Sequence, residues 1–163
     1  MSILKIKIAD IIIGIDTKNR DLLDQFRKYY RHYISKNKCD ILIKVCGKIN
    51  NTRIGRYINK SSDLLWKKSN ENIYDLFFYH KGNAFHLGKW NLKDKTGYLK
   101  LVHNKESFLL TDFLLGCLTS YLEKKDGLFF HGSSVIYDKK GYVFLGKSGS
   151  GKTTVVKMAK KEN

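Results

Sequence analysis

Tyr142-Val143-Phe144-Leu145-Gly146-Lys147-Ser148-Gly149-Ser150-Gly151-Lys152-Thr153-Thr154-Val155-Val156 is the stretch that decides how this chain is read. An apolar, β-branched and aromatic run enters a loop of glycine, lysine and serine, and a segment with nothing to forbid a helix leaves it. Gly146 to Thr153 fits the spacing G-x-x-x-x-G-K-[ST], and strand–loop–helix is the setting that spacing requires. Each position has a physical task. Glycines let the backbone take up positive φ and approach an anion closely, so the N–H groups of Gly146, Lys147, Ser148, Gly149, Ser150 and Gly151 can point inward as a nest. The following helix adds its positive dipole end at the same spot. Lys152 supplies a mobile charge to the β and γ phosphates, and the Thr153 hydroxyl is a hard oxygen ligand for Mg²⁺. With Thr154, these residues form the set expected to bind ATP and Mg²⁺. A glycine- and serine-rich surface turn is the bland alternative.

Upstream, Ser134–Tyr137 and Tyr142–Leu145 read as short strands joined by Asp138-Lys139-Lys140-Gly141, a tight-turn composition, and Leu128–His131 reads as a third strand. Before them, the residues from Phe108 to Leu122 form a broadly apolar helix, predicted to be buried on more than one side and ended by Lys124-Lys125-Asp126-Gly127. The chain changes character near residue 106. The first part is predicted to be β-rich. Ile3 to Ile13 reads as one strand broken at Gly14, and Asp21 to Ile34 as an amphipathic helix capped by Asn19. The aromatic stripe of that helix, Phe26, Tyr29, Tyr30 and Tyr33, is expected to be core rather than a base-stacking platform. Asp40–Cys46 is a strand followed by a turn at Gly47–Asn51. Ile73–Tyr79 and Ala84–Leu87 flank a hairpin turn at Lys81-Gly82-Asn83, and Tyr98–Val102 is a further strand. His80, His86 and His103 are too dispersed to make a metal site.

From about Phe108 onward, over about a third of the chain, the sequence resembles the HPr kinase/phosphorylase family and its HPr-kinase-related relatives. The residues that carry the resemblance are Gly127-Leu128-Phe129-Phe130-His131-Gly132-Ser133-Ser134-Val135-Ile136 and then Gly141 through Thr153, with a histidine-glycine pair one hairpin upstream of the phosphate loop. The resemblance implies ATP-dependent phosphorylation of a serine hydroxyl on a small carrier protein or peptide. It implies that His131 and Lys152 are active-site residues and that Thr153 is a metal ligand. A hairpin would return His131 beside the loop, where imidazole could hydrogen-bond a phosphate or orient the loop backbone; a structural histidine is the competing reading. The expected fold is thus an α+β N-terminal region, residues 1–106, leading into the start of an α/β P-loop kinase domain of HPr-kinase type, residues 107–163, incomplete after its first helix. Family members continue with an aspartate general base and further metal-binding acids, whereas the only acid after this loop is Glu162. The chain is accordingly expected to be a truncated piece of a longer kinase, ahead of a split enzyme or a decayed reading frame, and to be catalytically inert alone. A homo-oligomer or a complementing C-terminal chain are the partners such a piece would need.

Composition limits the alternatives. The 163 residues suffice for one ordinary domain or two small ones, and 42% hydrophobic with 28% charged residues excludes disorder and collagen-like chains. Cys39, Cys46 and Cys117 are too few for a disulfide framework and suit a reducing compartment. No apolar stretch approaches the ~20 residues needed to cross a bilayer, and nothing marks export, so a cytoplasmic chain without a membrane span is expected. The net charge is +16, yet 26 of the 31 basic residues are Lys and they are spread along the chain, which disfavours nucleic acid as a partner. Two other functions compete with the kinase. One is another Walker-type ATPase, such as an ATP-binding cassette, and the other is a non-catalytic basic binding module.

Overall fold

Isoleucine and leucine at alternate positions of the first hundred residues build one sheet and give it one buried face. The computed structural model describes residues 3–49, 64–102, 105–130 and 132–159. Strands β1 (Leu4–Ile8) and β2 (Ile11–Asp16) form an antiparallel hairpin, and helix α1 (Arg20–Tyr29) crosses from β2 to the parallel neighbour β3 (Ile41–Ile49). Strands β4 (Leu64–Lys68), β5 (Ile73–His80), β6 (Asn83–Asn91) and β7 (Thr96–Val102) form an antiparallel meander. Its last strand pairs in parallel with β3, so seven strands lie in the order β1-β2-β3-β7-β6-β5-β4. Helix α2 (Glu106–Glu123) follows β7 and packs back against it.

Both helices share one hydrophobic cluster with the sheet. Leu22, Leu23 and Phe26 from α1 and Leu109, Leu110, Phe113, Leu114, Cys117 and Leu118 from α2 are buried with Ile13, Ile15, Ile41, Ile43, Leu99 and Leu101. At β7 the opposite face is wet: Tyr98 and Lys100 alternate with the buried residues of that strand and are exposed. Phe113 is the keystone. Its ring lies where a Cβ on Gly88 or Gly97 would stand 2.6 Å from it, and it stacks on Trp66 at 5.3 Å between centroids. Those two glycines therefore let one helix residue sit directly on the sheet backbone.

Strands β8 (Ser133–Tyr137) and β9 (Lys140–Phe144) form a separate antiparallel hairpin, followed by helix α3 (Lys152–Ala159), which packs against β8. None of the described residues from 128 to 159 is buried. Leu128, Phe129, Phe130, Ile136, Val143, Leu145, Val155 and Met158 all stay exposed.

Several local expectations are corrected. The N-terminal run is two strands, because the chain turns at Ala9-Asp10 with Ala9 at φ 52°. Gly14 does not break it; it lies mid-strand, where an added Cβ would stand 2.6 Å from the Cys39 sulfur. The first helix ends at Tyr29, and a 3-10 turn (Arg31–Tyr33) follows. Strand β3 continues through Gly47 by way of an irregularity at Val45/Gly47 instead of turning there. Residues 128–130 form no strand, and β4 was not foreseen. Helix α2, with which the second region is expected to open, shares the hydrophobic core of the large sheet.

Candidate functional site

Strand β9 delivers the chain into the loop 145–151, and α3 begins at Lys152, so the motif stands in the strand–loop–helix setting that its spacing requires. Gly149 and Gly151 both adopt φ +81°, a conformation L-residues rarely take, which is why glycine is needed there. Ser150 donates its backbone N–H to the Lys147 carbonyl at 3.2 Å, and the first helical bond runs from Val155 N–H to the Gly151 carbonyl at 3.0 Å. Gly146 faces Ser150 so closely that a Cβ would meet the serine oxygen at 2.8 Å. The loop thus curls on itself at the helix N-terminus.

Lys152 closes the ring. Its ammonium donates to the carbonyls of Gly146 and Lys147, both at 2.7 Å, spanning the mouth of the loop. The ammonium is thereby held within the loop at the start of α3. Thr153 and Thr154 occupy the next helix positions and are exposed, so the Thr153 hydroxyl is open to a cation. One neutral oxygen would supply only a minor share of an octahedral Mg²⁺ shell, leaving the remainder to a phosphate and water. Among the described residues no cluster of three His, Cys, Asp or Glu could hold a metal ion without that help. His131 lies outside the described residues, as does His103. Gly132 is placed against the end of β9, its Cα facing the Phe144 carbonyl and Leu145 side chain.

The perturbed acids lie elsewhere. Asp75 on β5 is buried and accepts hydrogen bonds from Ser69 Oγ at 2.6 Å and, through its other oxygen, from His86 Nε2 at 2.8 Å. Burial raises the pKa of its carboxyl, but the Ser69 and His86 hydrogen bonds and the Lys89 charge outweigh that and hold it below the usual range. Serine, aspartate and histidine meet here, yet the carboxylate stands between the other two. The imidazole therefore cannot take the serine proton, and the trio is not a nucleophile arrangement. Spacing alone did not disclose it, because the register of β5 and β6, shifted at Leu76/Phe77, is what brings residue 86 to residue 75. Asp112 on α2 is raised by burial, opposed by a hydrogen bond from Trp66. Among the described residues, no hydrogen bond or ion pair joins either acid to residues 146–154.

A cavity of about 460 Å³ opens at the carboxyl end of β2, lined by Asp16, Thr17, Lys44 and Cys46 beside the start of α1. Asn19 caps that helix, its side-chain oxygen accepting from Leu22 N–H at 3.1 Å. Among the described residues no helix is long and apolar enough to cross a membrane. No family model, curated protein or solved structure matches the chain.

Proposed function

We propose that residues 146–154 bind the triphosphate of ATP together with Mg²⁺, as the opening of a nucleotide site of the HPr-kinase-like serine kinase type. The observation that carries this reading is the ring formed by Lys152 on the Gly146 and Lys147 carbonyls, at a helix N-terminus and with two positive-φ glycines in the same loop. Such a loop offers an anion a helix N-terminus and an ammonium close together. In this reading Lys152 neutralises charge on the β and γ phosphates, Thr153 ligates Mg²⁺, and His131 hydrogen-bonds a phosphate or the loop.

The acceptor proposed is a serine hydroxyl on a small carrier protein or peptide. Phosphoryl transfer also needs that hydroxyl positioned and the transferring group's charge neutralised. Among the described residues no carboxylate is held against the loop, so the share assigned to this polypeptide is nucleotide binding, and transfer is assigned to groups that join it. A cytoplasmic location accords with the same reading.

Titration of the chain with a fluorescent ATP analogue, with and without Mg²⁺, tests it. Saturable, Mg²⁺-dependent binding is expected, weakened at least about tenfold in Lys152→Ala, as the loss of one charge-assisted contact implies. A folded chain with no saturation, or a Lys152→Ala variant that binds equally well, would remove the reading.

A further inference from the structure

The end of α1 carries a feature that the phosphate loop does not use. From Gln25 to Cys39 the sequence has no acidic residue, and Arg27, Lys28, Arg31, His32, Lys36 and Lys38 alternate with Tyr29, Tyr30 and Tyr33. Periodicity assigned these tyrosines to the core, but only Phe26 is buried. Tyr29 is 80% exposed and Tyr33 54% exposed. Tyr30 stands between them, edge-on to Tyr29 at 4.9 Å and to Tyr33 at 6.4 Å, and rests on the core below. The rings therefore form a supported ladder whose outer members face solvent.

The segment is held in place. Tyr33 N–H donates to the Tyr30 carbonyl at 2.8 Å, Ile34 bridges to Ile6, and Ser35 N–H donates to the Lys5 carbonyl at 3.0 Å. Beside the ladder, between α1 and α2, lies a groove of about 430 Å³ lined by Phe26, Tyr29, Tyr30 and Phe108, with Ser107 and Gln25, joined by a hydrogen bond at 2.7 Å, also in its wall. Asp24 on α1 is paired with Arg27 at 2.6 Å. Exposed rings on a fixed backbone, bordered by the exposed Arg31, Lys36 and Lys38, suit a ligand with flat apolar faces on an anionic chain.

We propose that residues 27–38 and the adjoining groove bind single-stranded nucleic acid, with Tyr29 and Tyr33 stacking on bases and Arg31, Lys36 and Lys38 on phosphates. The positive charge of the segment disfavours a cationic partner, and the ladder gives stacking that a bare lysine patch lacks. This surface is independent of the phosphate loop.

The test is fluorescence anisotropy with labelled oligouridylate and oligothymidylate of about 15 nucleotides, the upper range of one such site. The Tyr29→Ala/Tyr33→Ala chain is expected to bind at least about tenfold more weakly, and Tyr29→Phe/Tyr33→Phe to bind as the parent does, because the rings remain. Tyr29→Leu/Tyr33→Leu, which keeps apolar bulk, must weaken binding as the alanine pair does. Arg31→Ala/Lys36→Ala should lower both affinity and the steepness of its salt dependence, whereas Lys139→Ala/Lys140→Ala on the β8–β9 hairpin should change affinity by less than about twofold. Equal losses from the two charge pairs, binding indifferent to the rings, or binding to phosphatidylserine vesicles but not to oligonucleotides would overturn the proposal.

Discussion

Asp75 shows how a single residue sets a condition on the fold. Its carboxylate is buried on β5 and satisfied by Ser69 and His86, and its pKa is held below the ordinary value despite burial. The unfolded chain therefore takes up the proton first as the pH falls. The stability contributed by this carboxylate is fully present above the ordinary aspartate pKa, about 4, and is lost as the pH drops through the lower folded-state value. Asp75→Asn keeps the shape but replaces one acceptor oxygen with a donor and removes the charge. It should lower stability at neutral pH by about 1.5–3 kcal/mol, the range for hydrogen bonds to a charged group. Urea unfolding of the two chains from pH 7 to pH 2 checks this. The gap between them should narrow below pH 4, and a constant gap across that range would mean that the carboxylate's charge contributes nothing.

At the scale of elements, what was legible in the sequence depended on the range of the interaction. Asn19 was readable as a helix cap because its partner is Leu22, three residues away, and Lys81-Gly82 as a turn because both residues take positive φ in a two-residue hairpin. The strand–loop–helix setting of residues 142–159 was legible because its residues are contiguous. Gly14 was misread because what occupies its missing Cβ is Cys39, and the exposure of Tyr29 and Tyr33 was misread because helical spacing does not say where the sheet beneath a helix ends. The β8–β9 turn is a case where local chemistry and geometry disagree. Asp138 and Lys139 stand at φ 47° and 59°, the positive-φ pair of a type I′ turn, which favours Asn-Gly. A lysine in that region costs about 1–2 kcal/mol relative to glycine, offset in part by glycine's greater freedom when unfolded. Lys139→Gly should therefore stabilise the hairpin by about 1 kcal/mol, and hydrogen exchange at the paired residues Val135 and Tyr142 should slow about fivefold. Lys139→Val, β-branched at the same position, should speed it. Equal exchange in all three chains would show that the turn does not limit the hairpin.

Across the whole molecule, the hydrophobic core and the proposed nucleotide loop lie in different parts of the chain. The core cluster runs from Leu4 to Leu118, and none of its members comes from the hairpin, the loop or α3. Those elements bury no residue, and such segments open at low free energy. Both tryptophans, Trp66 and Trp90, are on the large sheet, so their fluorescence reports the core without the loop. A chain ending at Gly127 should consequently melt, by tryptophan fluorescence, within a few °C of the full chain, since a shift of that size corresponds to only about 1 kcal/mol. If residues 146–154 bind nucleotide as proposed, Mg²⁺ and ATP at about a hundred times the dissociation constant should stabilise only that part of the full chain, by about 2.7 kcal/mol. Amide protection should then rise across residues 142–156 while the tryptophan melt stays where it was. A melting point that falls by more than about 10 °C on truncation, or that rises with nucleotide, would require the hairpin to be packed on the sheet and the two parts to unfold as one.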